Sequence, residues 1–332
     1  MNSFSTKEAL LAALRAAPEI WQSGAALATR LGVSRTAVWK AAEELRADGF
    51  ALESVPRRGY RLGSDTAPLT AESLRVLLGC DWQVEVWPSL RSTNDRARAL
   101  AAGGAPGPAL VASLEQTQGR GRRGRAFYSP AGSGLYFSLL LRPSVTTEDA
   151  LLITAAAATA ARRALSRFGV KTEIKWINDL YRNGRKVCGV LTEAVLDLES
   201  GGLESLVAGF GLNLTAPQGG FPAELQKIAG PVFDRQPHPD AARIAAAIAE
   251  DFVALVSALP NTDFLSEYRA ANLFVPGTPV TVLPPRGAPY PAVVEEIDNR
   301  ARLVLRTGCG DRQLLGSGEA RLRRSGEEFP AG

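Results

Sequence analysis

Three glycines and four arginines alternate in the segment Gly119-Arg120-Gly121-Arg122-Arg123-Gly124-Arg125. Glycine lets a backbone come close to a ligand, and arginine brings a fixed positive charge with a fork of donors, so the segment suits a phosphate or a carboxylate. Basic glycine-rich stretches also occur in disordered RNA-binding tails. This one stands between two apolar runs of strand length, at 110–114 and 135–141, and a place inside a folded domain favours an anion-cradling loop.

The chain has 332 residues and a net charge of +4, with 38 lysines and arginines. Only Lys7, Lys40, Lys171, Lys175, Lys186 and Lys227 are lysines. Arginine is the habitual cation here, so a lone arginine says little, whereas a lysine retained among them offers a compact, flexible point charge. Two of the six flank a second cluster, Lys175-Trp176-Ile177-Asn178-Asp179 followed by Arg185-Lys186-Val187-Cys188-Gly189-Val190-Leu191. It reads as a strand, a turn and a returning strand, which puts Lys175 and Lys186 on adjacent strands near one ligand. Asn178 and Asp179 then sit at a strand end, where they can meet a nucleotide or a metal ion. The alternative is a surface hairpin with solvated lysines, and lysine scarcity and the apolar returning strand argue against it. Ser92-Thr93-Asn94, ahead of a helix, can be no more than a cap. Gly209-Phe210-Gly211-Leu212-Asn213 is a strand whose glycines permit close approach.

Other chemistries are excluded by what is scarce. Cys80, Cys188 and Cys309 are odd in number and form no CxxC pair, and the one histidine, His238, stands between Pro237 and Pro239. A disulfide framework, a zinc site and a Ser-His or Cys-His catalytic pair are not expected. The N-terminus has no basic region followed by an apolar run, and the alanine-rich stretch at 153–164 is too short to span a bilayer, so a cytoplasmic protein with no membrane partner is expected.

The elements that must position these residues fall into three units. Leu10, Leu11 and Leu14 share one helix face, and Ala25, Leu27, Ala28 and Leu31 another. Gly32 makes a turn, Ser34 caps a third helix running to Asp48 with Val38, Ala42 and Leu45 inward, and Gly49 ends it. Two short strands at 50–55 and 59–62 follow, joined by Pro56-Arg57-Arg58. This is a winged helix-turn-helix over residues 1–64, in which Ser34, Arg35, Thr36, Trp39 and Lys40 face the major groove of DNA and Arg57 and Arg58 on the wing reach phosphates. The alternative is a protein-contact module with solvated charges. Residues 63–68 read as a linker. The second unit, 65–272, mixes strands at 84–87, 110–114, 135–141, 173–176, 186–196 and 206–214 with helices at 94–102, 148–167, 241–258 and 262–272. The third, 273–332, is short and β-rich, as in a small SH3-like barrel.

Taken together, Ser-Thr-Asn, the run Glu-Gln-Thr-Gln-Gly-Arg-Gly-Arg-Arg-Gly-Arg from Glu115, Lys-Trp-Ile-Asn-Asp, Arg-Lys-Val-Cys-Gly and Gly-Phe-Gly-Leu-Asn resemble, in this order, the biotin protein ligases. With the leading winged helix the chain is similar to the bifunctional type, ligase and biotin operon repressor in one polypeptide. The resemblance implies an α+β multidomain chain whose central α/β domain is biotin/lipoate-ligase-like, related to class II synthetases. It implies ATP and biotin as substrates with Mg2+, the biotin carboxyl carrier protein of acetyl-CoA carboxylase as acceptor, and operator DNA as a further partner. Carried over, Ser92, Thr93, Asn94 and Gln116 line the biotin pocket; Arg120, Gly121 and Arg122 fold over biotin's carboxylate and the α-phosphate; and Lys186 contacts both. Lys186, Arg122 and Lys175 supply catalytic charge, and Arg120, Arg122, Arg123, Phe127, Lys175, Asn178 and Asn213 surround the adenylate. Magnesium falls near Asn178 and Asp179. A homodimer is expected, because a winged helix of this kind reads paired half-sites. The chain departs from the family pattern at Ile177, where proline is common, and at Phe127, where tryptophan often stacks on adenine. Two rival readings are a small-acid sensor without catalysis and a lipoate ligase, which lacks the arginine-glycine run.

Overall fold

The computed structural model describes residues 3–63, 68–146, 149–196, 203–234, 240–284, 287–316 and 321–324. His238, most of the expected linker and Glu148, the first residue of the helix expected at 148–167, lie outside them.

Local chemistry accounts for the first unit. Helix α1 (Thr6–Arg15) opens on a capping box, in which Ser5 Oγ accepts from Glu8 N at 3.2 Å and Glu8 Oε2 accepts from Ser5 N at 2.7 Å. After α2 (Gly24–Leu31), Gly32 takes φ +66°, and Ser34 caps α3 (Arg35–Ala47) by accepting from Ala37 N at 3.1 Å. Strands β1 (Leu52–Val55) and β2 (Gly59–Leu62) pair antiparallel as the wing. Leu10, Leu11, Leu14, Leu27, Val38 and Leu45 close a core of their own.

A helix that the sequence reading missed, α4 (Ala71–Leu78), joins this unit to the next. Leu74 belongs to the central core, whereas Val76 packs on the winged-helix core. Ion pairs reinforce the junction: Lys7 with Glu72 at 2.9 Å, Arg75 with Glu8 at 3.0 Å, and Arg15 with the buried Asp240 at 2.8 Å.

The central domain contains β3 (Gln83–Trp87), α5 (Thr93–Ala102), β4 (Ala109–Ser113), β5 (Gly134–Leu141), α6 (Ala150–Arg167), β6 (Glu173–Lys175), β7 (Asp179–Arg182), β8 (Arg185–Leu196), β9 (Leu203–Asn213), α7 (Ala241–Ser257) and α8 (Phe264–Ala270). Its seven strands form one sheet in the order β3-β4-β5-β9-β8-β7-β6, antiparallel except for β3 with β4. Alternation splits the sheet into two buried faces. Val111, Leu140 and Val207 meet Ala97 and Ala101 of α5, while Leu110, Leu139, Leu206 and Ala208 share the large core with α6 and α7. Burial on both faces is why the central strands read as unbroken apolar runs.

The last unit is β10 (Pro279–Leu283), β11 (Tyr290–Ile297), β12 (Leu303–Thr307), β13 (Arg312–Leu315) and β14 (Arg321–Arg324), in the order β13-β12-β11-β10-β14. Among the described residues this is a five-stranded antiparallel sheet in which no ladder joins β13 to β14, so closure into the expected SH3-like barrel is not seen there. Its apolar face needs no closure to be buried, because Val280, Val282, Val294 and Leu305 belong to the same core as the central domain. Trp176 Nε1 donates to Ala301 O at 2.9 Å across the same junction. No described helix is long and apolar enough to cross a membrane.

Candidate active site

At one end of the central sheet, neutral hydrogen-bonding groups converge. Ser92, Thr93 and Asn94 begin α5 and are buried, and Ser92 makes no side-chain cap bond. Gln116 Oε1 accepts from Thr93 N at 2.8 Å, and Gln116 Nε2 donates to Ser129 Oγ at 3.0 Å. Ser138, fully buried on β5, has Oγ 2.6 Å from Asn94 Oδ1 and 2.7 Å from Thr93 Oγ1. A hydroxyl has one proton to give, so Ser138 donates to the amide and accepts from Thr93. The space for Asn94 exists because residue 209 is glycine: a Cβ there would lie 2.0 Å from Asn94 Oδ1. Ser138 and Ser129 escaped the sequence reading; a lone serine inside the apolar run of β5 was the available signal.

The glycine-arginine segment closes as a small hairpin over this region. Phe127 N donates to Gly119 O at 2.8 Å, Gly121 N donates to Arg125 O at 2.7 Å, and Arg120 bridges Ala126. A single 3-10 turn, Arg122–Gly124, makes the tip, with Arg123 at φ +59°. Gly119 is required by contact, since a Cβ would meet Phe127 O at 2.4 Å. The arginines then diverge. Arg122 turns inward, its Nη1 3.2 Å from Asn178 Oδ1, and Arg123 stays exposed. Burial pushes the Arg122 guanidinium below its ordinary range, while nearby Asp179 works the other way. Arg120 turns instead to Asp95 and Glu193. Phe127 lies against Gly211 and Gly189, where Cβ atoms would come within 2.6 Å and 3.4 Å of its ring.

Lys175 and Lys186 do not lie on adjacent strands as the hairpin reading had it, because β7 runs between them. They still share a face, for two reasons of register. Lys175 pairs with Asp179, and Asp179 with Gly189. Between Leu180↔Cys188 and Tyr181↔Lys186 the register slips by one residue, and this bulge at Val187 turns Lys186 to the side of Asp179 and Gly189. Lys186 Nζ stands 2.8 Å from Asp179 Oδ1 and 5.9 Å from the centre of the Phe127 ring. Lys175 Nζ is 5.3 Å from the centre of the Tyr181 ring. Asn213 gives its amide N–H groups to the carbonyls of Lys186 and Gly230, at 3.4 and 3.3 Å, so it ties strands together beside the site. Behind Lys186, burial pushes the Cys188 thiol up to about 12, which leaves no thiolate nucleophile there. Tyr268, missed in the sequence, donates from its buried hydroxyl to Ile177 O at 3.1 Å and supports the Asn178-Asp179 turn.

Asn178 and Asp179, the pair expected near magnesium, are engaged by the cations of the site. The described residues contain no cluster of three acidic, histidine or cysteine ligands, Asp179 is paired with Lys186, and Asn178 Oδ1 accepts from Arg122. One carboxylate of this kind suits only a magnesium ion carried in on phosphates.

On the winged helix, Ser34, Arg35, Thr36, Trp39 and Lys40 are exposed, Trp39 at 53%. Arg57 is also exposed, with φ +67°, whereas the Arg58 guanidinium stacks 4.7 Å from the Trp21 ring.

A winged helix stands ahead of a mixed-sheet domain in which a neutral hydrogen-bonding network adjoins a cluster of cations. Comparison with known proteins gives the family. Residues 86–213 match the biotin/lipoate A/B protein ligase family and residues 6–61 an HTH domain. The biotin--[acetyl-CoA-carboxylase] ligase of Mycobacterium tuberculosis is 31% identical over 254 residues, 73% of this chain and 91% of that protein. The bifunctional ligase/repressor BirA of Bacillus subtilis is 38% identical over 211 residues, 62% of this chain, and the match spans 64% of the Bacillus protein. Biotin protein ligase from Aquifex aeolicus, solved in complex with biotin and ATP, superposes with a TM-score of 0.58 at 25% identity, over 73% of this chain and 99% of that one. The chain belongs to the biotin/lipoate A/B protein ligase family.

Proposed function

We propose that the protein is a biotin protein ligase that is also a biotin-responsive repressor. It forms biotinyl-5'-AMP from biotin and ATP, then passes biotin to a lysine of the biotin carboxyl carrier domain of acetyl-CoA carboxylase. The observation that carries this reading is a junction: the Gln116, Thr93, Asn94 and Ser138 network, suited to a neutral ureido ring, adjoins Arg122 and Lys186, suited to a carboxylate and a phosphate.

The first step brings two anions together, so catalysis is chiefly positioning and charge neutralisation. A biotin carboxylate oxygen attacks the α-phosphorus, the bond to the bridging β-phosphate oxygen breaks, and pyrophosphate leaves. Lys186 and Arg122 neutralise the charge where the two anions meet, Lys175 adds to the field, and Phe127 offers a ring face to adenine. Asn178 and Asp179 would meet a magnesium ion carried on the nucleotide's phosphates, and that ion would help neutralise the leaving pyrophosphate. In the second step a lysine ε-amine attacks the acyl carbon, the C–O bond to AMP breaks, and the amine proton passes to solvent. No covalent enzyme intermediate is needed.

The division of labour is residues 1–64 for operator DNA, through Ser34, Arg35, Thr36, Trp39, Lys40, Arg57 and Arg58, then 65–272 for catalysis and 273–332 as a C-terminal unit. A homodimer suits paired half-sites. Pyrophosphate release with ATP, magnesium and either biotin or lipoate tests the ligase: turnover with biotin alone is expected, and silence with biotin sinks the proposal. A gel shift on biotin-synthesis promoter DNA, with and without biotin and ATP, tests the repressor.

A further inference from the structure

Arg120 of the glycine-arginine loop is paired with carboxylates. Its Nη2 lies 2.7 Å from Asp95 Oδ1, and 3.4 and 3.3 Å from Glu193 Oε1 and Oε2. The same two carboxylates hold Arg98, with Nη2 2.5 Å from Asp95 Oδ1 and Nη1 3.5 Å from Glu193 Oε1. Two acids and two guanidiniums thus balance in one cluster drawn from α5, the loop and β8. Glu193 has a second task. Its Oε2 accepts from Asn94 Nδ2 at 2.8 Å, so one carboxylate holds both the loop and the pocket amide.

Each of these pairs is partly exposed and weak alone, but bonds converging on shared carboxylates act as a network. Arg120 stands at the stem of the hairpin, beside the buried Gly119 and bridged to Ala126. Fixing the stem fixes where Arg122 and Phe127 land. An arginine matched by two carboxylates also has little charge to lend a phosphate unless those bonds break. We propose that Asp95 and Glu193 are positioning residues that clamp the glycine-arginine loop shut through Arg120, and that Arg120 acts on loop closure, not on the reacting phosphate. Only the kinetic arm of the test rests on the ligase reading.

Trypsin cuts at the loop's own arginines, and cleavage of a transiently open segment tracks the open population. The test uses the full chain, wild type against Glu193→Gln and Asp95→Asn, without ligands, with nicks between 119 and 125 followed by mass spectrometry. Nicking about tenfold faster in both variants is expected from the loss of charge-assisted bonds. In pyrophosphate release, KM for biotin rises about tenfold while kcat stays within about threefold. Asp95, which does not hold Asn94, keeps the test sound if Glu193→Gln disturbs the pocket. Unchanged nicking in Asp95→Asn overturns the clamp, as does a fall in kcat with KM unchanged. Faster nicking in a protein whose wild type releases no pyrophosphate with biotin leaves the clamp standing and the ligase reading fallen.

Discussion

The two regions assigned to ligands are built in opposite ways. On the winged helix, Arg35, Thr36, Trp39 and Lys40 project from one helix into solvent, and one cap at Ser34 sets their start. In the central domain the corresponding residues are at least half-buried and engaged with each other: Gln116 with Thr93, Asn94 with Ser138, Arg122 with Asn178, Lys186 with Asp179. A long polyanion can be met by a surface that any amphipathic helix provides. A small acid and a nucleotide must be enclosed, and enclosure demands that buried polar groups satisfy one another in advance.

That contrast can be broken at several points. The largest effect is expected from Lys186→Ala, which removes a cation from the junction and should slow pyrophosphate release on the order of a hundredfold or more, with the melting temperature little changed. A normal rate would show that the charge is supplied elsewhere. Gly209→Ala drives a methyl into Asn94 and should raise KM for biotin by roughly tenfold or more and lower stability by about 1–3 kcal/mol, as read by titration calorimetry and thermal melts. On the other surface Arg57→Ala, on the exposed wing, should weaken DNA binding about equally across sequences and reduce the salt slope by about 1, leaving pyrophosphate release untouched; a change in the ligase rate would mean the two regions are not separable. The smallest effect concerns the junction between them. Burial opposes both charges, yet Lys7 holds the Glu72 carboxyl below its ordinary value of 4.5, and Asp48 and Glu72 hold the Lys7 ammonium above its ordinary 10.5. A lowered carboxyl stabilises above its ordinary value and loses this as pH falls through the lowered one; a raised ammonium does so below its ordinary value and loses it as pH rises. Protection of the α1 and α4 amides, corrected for the intrinsic pH dependence of exchange, should therefore fall as pH drops below 4.5 and as it rises past 10.5, and unchanged protection at both ends would remove the pair from the junction.

Local signals were legible where one element explains itself. The cap at Ser34, the turn at Gly32, the exposed face of α3 and the glycine-arginine loop between two strands all follow from neighbours in sequence, and each is found where the residues indicate. Helix α4 is not legible in a local pattern because its apolar residues serve two cores at once, and strand content in the C-terminal unit does not reveal what covers its apolar face.

By itself the sequence determined which chemistry is available: arginines on glycine, a few retained lysines, neutral hydrogen-bonding side chains, and no cysteine or histidine pair within the described residues to act as nucleophile and base. Only the tertiary structure decided how that chemistry is divided. The bulge at Val187 aims Lys186, the strand between Lys175 and Lys186 brings Asp179 to both, and Glu193, 73 positions from Arg120 and 99 from Asn94, ties the loop to the pocket. A local pattern carries no information about partners so far along the chain, because what pairs them is the register of a sheet and the closing of a core.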